Sequence, residues 1–254
     1  MSEQEKFGAS PAQSRFLAFF DECGDHSLVK VDPDFPLFVL ALVVVERAAY
    51  RDTILPEVSP CTLRRRHPDG SSLYSRDIRA VKVMLHNLPF TLFIAAIHKP
   101  EHLARLLAGD NDSYGLPLRL TMDRLLHFLE FHGEVRLPIV CRLQEQAEAR
   151  PMAASFHNVL STGGIISSAE QFEKLDCRLI LQPSIDDLPG LQITNLCAHG
   201  CGQHIVKPNE PNPLYEAVRG KVYQNSGVSG WEEAFKELAL QKPAFSRCRS
   251  GVGR

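Results

Sequence analysis

Two adjacent acids, Asp21 and Glu22, close an apolar run in the stretch LAFFDECGDHS, Leu17 to Ser27, with Gly24 and a third acid, Asp25, just behind them. Carboxylates that converge at the end of a buried strand repel one another. A divalent cation relieves that repulsion, and Mg²⁺ or Mn²⁺ prefers such oxygen ligands. Two of these ions about 4 Å apart are the usual machinery of phosphodiester hydrolysis. The bland reading competes: Asp and Gly favour turns, and the motif alone reads more simply as a strand ending in one. His26 beside Asp25 reads as a loop histidine, or as a proton shuttle if an ion sits nearby.

A second group lies late in the chain. Cys197, Cys201 and His204 stand at i, i+4 and i+7, one face of a helix, with His199 on another face. Thiolate and imidazole are preferred zinc ligands. Zinc sites usually draw on paired short spacings, however, and no CxxC occurs. The two thiols read as core packing, and zinc is not the expected cofactor. GxSxG, P-loop and GxGxxG motifs are missing from the sequence, so no nucleophile elbow or nucleotide cradle is expected.

The elements that must position these residues follow from apolar periodicity. Strands are predicted over residues 15–20, 35–45, 90–97, 135–141 and 177–181. Helices are predicted over 46–58, from Ser75 through Leu88, and over 116–131, 147–160, 191–206 and 213–223. The first two strands read as an antiparallel hairpin with a loose loop. The alternation that follows fits an α/β fold, a mixed sheet with helices on its faces. Residues 1–14 read as a flexible arm, 15–225 as one domain, and 226–254 as a tail in which Trp231 and Phe235 mark a short helix.

The chain has 254 residues, 44% hydrophobic and 23% charged, and a net charge of −2, which suits an ordinary globular protein. No global field draws it to nucleic acid or anionic lipid. Any nucleic-acid contact would need a local patch, and the best local run is Arg64-Arg65-Arg66-His67, which reads more simply as a solvated loop. No apolar stretch reaches the roughly 18 residues of a membrane span. The polar N-terminus lacks a signal-peptide core, so the chain reads as cytoplasmic. Its seven cysteines read as free thiols.

Four segments in a fixed order carry a resemblance: FFDECGDHS, then SRDIR (Ser75 to Arg79), GLQITNLCAHG (Gly190 to Gly200) and KPNEPNPLYEAVRGK (Lys207 to Lys221). Together they resemble the family called domain of unknown function 3800, from about Phe16 to about Lys221. That resemblance implies a ribonuclease H-like fold with its first strands antiparallel and helices on both faces. It also implies a metal-dependent nuclease site. The first-strand acid corresponds to Asp21, with Glu22 beside it. The acid of the late helix falls on Asn195, which offers one neutral oxygen where a carboxylate is usual. The acids after the fourth strand fall on Arg142, a reversed charge, and on Glu148 and Ala149; a register slip of three would bring in Glu145 instead. Arg142 in that place would pair with Asp21 where a cation would sit.

The expectation is therefore a catalytically degenerate relative in a binding or accessory role, its partner a protein or a nucleic acid. The alternative is a weak Mg- or Mn-dependent nuclease with Asp21, Glu22, Glu148 and Asn195 as its site, and Asp21, Glu22 and Asn195 as metal ligands.

Overall fold

The first apolar run forms β1, Phe16–Cys23, in the computed structural model of the chain, which describes residues 14–24, 31–58, 74–99, 114–143, 149–183 and 188–224. β1 is longer than its apolar run. It continues through Asp21 and Glu22 because each pairs with the neighbouring strand β2, Leu37–Glu46: Asp21 opposite Ala41, Glu22 opposite Leu40, Cys23 opposite Val39. The carboxylates are thus ladder residues rather than the start of a turn.

Three strands complete the sheet: β3 (Thr91–His98), β4 (Arg136–Leu143) and β5 (Asp176–Pro183). The order is β3-β2-β1-β4-β5. β1, β2 and β3 run antiparallel to their neighbours in turn, while β4 runs parallel to β1 and β5 parallel to β4. The sheet is mixed, as the sequence implies. β1 is its central strand and is buried along nearly its whole length.

Helices cover both faces. Between β2 and β3 lie α1, which runs from Arg47–Ala49 through a π-helical Tyr50–Ile54 to Leu55–Glu57, and α2, Tyr74–Asn87. Between β3 and β4 lies α3, Gly115–Phe131; between β4 and β5 lie α4, Ala149–Thr162, and the single turn α5, Ala169–Phe172. After β5 come α6, Pro189–Val206, and α7, Pro213–Val218, which ends in a 3₁₀ turn, Arg219–Lys221. α5 has no sequence period to announce it, since four residues cannot show one. The chain divides into two units, Met1–Tyr223 and Gln224–Arg254; apart from Gln224, the described residues belong to the first.

Side chains alternate along β1, and the two layers separate accordingly. Phe16, Ala18 and Phe20 join Leu42, Phe93, Leu118, Met122, Leu125 and Phe156 in the core under α3 and α4. Phe19 faces the other way, against Tyr50 of α1 (ring centroids 4.9 Å apart) and against α6. Gly190 makes the second contact close: a Cβ there would lie 2.4 Å from the Phe19 ring. Thr194, one turn later, donates its hydroxyl to the Gly190 carbonyl at 2.7 Å and lies 3.3 Å from that of Phe19. α6 therefore lies directly over the strand that carries the acids.

Candidate functional site

The alternation that sorts the core also sorts the acids. Asp21 shares the Phe19 face, beneath α6; Glu22 shares the Phe20 face, beside α3. Adjacent acids in a regular strand cannot turn both carboxylates into one face of the sheet. Each instead finds surroundings of its own.

Asp21 is 2% exposed. One carboxylate oxygen accepts the backbone N–H of Glu22 at 2.9 Å. The other faces Arg142, whose Nε lies 3.5 Å away, and the guanidinium is itself only 10% exposed. The topology explains the meeting. β4 runs parallel to β1 with Phe20 opposite Cys141, so the next residues along, Asp21 and Arg142, fall side by side on the same face. At 3.5 Å this is an ion pair rather than a tight hydrogen bond.

Glu22 is half-buried and takes a long contact from the Tyr114 hydroxyl, 3.4 Å from Oε1. Tyr114 sits just before α3 with its ring edge-on to Phe38, 5.4 Å between centroids. A small pocket at this strand end is bordered by Asp21, Glu22, Tyr114, Cys141, Arg142 and Met152.

Asn195 is half-buried on α6, one turn after Leu191 and one turn before His199. The residues named from sequence as zinc candidates all lie on α6. Cys197 and Cys201 are completely buried. Burial raises both thiols, Cys201 to about 12. The His204 ring is stacked on Tyr215, centroids 3.7 Å apart. Glu148, Glu145, Asp25, His26 and the Arg64-Arg65-Arg66 run lie outside the described residues. Among the described residues, no three His, Cys, Asp or Glu side chains stand close enough to hold a metal ion between them.

One pairing escaped the sequence reading. Cys23 Sγ lies 3.2 Å from His199 Nδ1. Cys23 is two residues beyond Asp21 and therefore on the same face of β1, beneath α6. Its thiol is pushed up from the ordinary 9.0 to about 12, first by burial, then by the charge of Asp21, with Glu22 adding to it. The strand period was the available signal for Cys23. His199 had none, because only the docking of α6 on β1 brings it over.

No family model matches the chain, and no curated protein matches it. Among solved structures, a chain of the PCNA:RNase HII complex from Archaeoglobus fulgidus is weakly similar, with 12% identity over 80% of this chain and 85% of that one and a TM-score of 0.38. No helix of the described residues is long and apolar enough to cross a membrane.

Proposed function

We propose that this chain is a catalytically degenerate ribonuclease H-like protein that serves in a binding or accessory role. The reading takes its support from the resemblance in sequence and from a mixed sheet with antiparallel first strands and helices on both faces. The observation that carries it is the Asp21–Arg142 pair.

The residues described do not fit a pair of Mg²⁺ or Mn²⁺ ions. Such ions need several charged oxygens converging on one point. Here a guanidinium on the same sheet stands beside Asp21, Glu22 faces the opposite layer, and Asn195 is neutral. The Arg142 guanidinium supplies one positive charge beside Asp21, where one or two divalent ions would bring two or four. A metal ion entering beside Asp21 would meet a fixed cation, a repulsion unscreened by water at so buried a place. Phosphodiester cleavage through this site is therefore not part of the reading; the scaffold's role is to bind a protein or a nucleic acid.

The test is calorimetric titration of the purified chain and of Asp21→Ala with Mn²⁺ and Mg²⁺. The expected result is no saturable binding that depends on Asp21. Micromolar to sub-millimolar Mn²⁺ binding that disappears in Asp21→Ala would overturn the reading and restore the nuclease alternative.

A further inference from the structure

We draw no further inference here: the strongest candidate, the completely buried Lys99 side chain just past the end of β3, whose Nζ has no hydrogen-bond partner among the described residues, carries nothing, because nothing in the structure shows what ligand would reach a group closed to solvent.

Discussion

Replacing Arg142 with Met removes a guanidinium from beside a carboxylate that is 2% exposed. At the observed 3.5 Å and an effective dielectric of about 20, Coulomb attraction between the two is about 5 kcal/mol. Desolvation of both groups offsets much of it, so the pair's net worth is far smaller than its coupling. The single change nevertheless falls near the full coupling, because it leaves the buried charge behind: about 3–5 kcal/mol is expected for Arg142→Met, and a similar loss for Asp21→Asn. The double variant removes both charges and should lie within about 1–2 kcal/mol of the parent. Urea unfolding of the four proteins gives the cycle, with the midpoint followed by circular dichroism. The reasoning predicts a coupling of about 4 kcal/mol or more. A coupling below about 0.5 kcal/mol, the scatter of independent sites, would show that Arg142 does not neutralise Asp21 and would remove the main support for the degenerate reading.

Gly190→Ala ordinarily helps a helix by roughly 1 kcal/mol, but here the new methyl meets the Phe19 ring; a loss of about 1–3 kcal/mol in urea unfolding is expected instead. Asp123 of α3 accepts the backbone N–H groups of Ile165, Ile166 and Ser167 at 2.7, 3.0 and 3.1 Å. Asp123→Ala should cost about 2–4 kcal/mol, and hydrogen exchange should show those amides losing protection first. Cys23, Cys177 and Cys201 are each raised from 9.0 to about 12, with burial the first cause. In the unfolded chain these thiols ionise near 9, so the folded state holds more protons between there and pH 12. Their contribution to stability is complete below about pH 9 and is lost as pH rises towards 12, at up to about 1.4 kcal/mol per thiol per pH unit. Urea midpoints between pH 7 and 11 should be flat, then fall, and a Cys201→Ala variant should fall less steeply.

Much of this architecture was legible because its causes are local. The unbroken Val and Leu run of β2 and the apolar spacing of α3 each sit where one surface must be buried, and periodicity reads that directly. The extent of β1 was not legible from its apolar run: Asp21 and Glu22 look like a stop, and only pairing with Ala41 and Leu40 keeps them in the strand. That one difference decides the site, since a turn lets two carboxylates converge and a strand sends them to opposite faces. The nearness of Arg142 to Asp21 was an expectation drawn from the resemblance in sequence, and the parallel register of β1 and β4 supplies its physical cause. The Cys23–His199 contact was out of reach, because it depends on how far along β1 the glycine at position 190 lets α6 settle.

The place of β1 at the centre of the sheet has a consequence for how the chain is made. Its antiparallel partner β2 follows within a few tens of residues, but its parallel partner is distant: Ala18 pairs with Ile139, 121 positions later. At about 5–20 residues per second, β4 emerges from the ribosome on the order of ten seconds after β1. α6, the cover of the opposite face, comes later still. Through that interval the nascent chain must carry Leu17, Phe19 and an unpaired strand edge in water, where they invite wrong partners. Long-range parallel pairing of this kind also makes for slow folding once synthesis ends. The charge pair on the sheet and the thiol–imidazole pair above it are thus late products of folding. A chain cut short before Arg142 would expose the Asp21 carboxylate on a sticky hairpin, a natural target for chaperones.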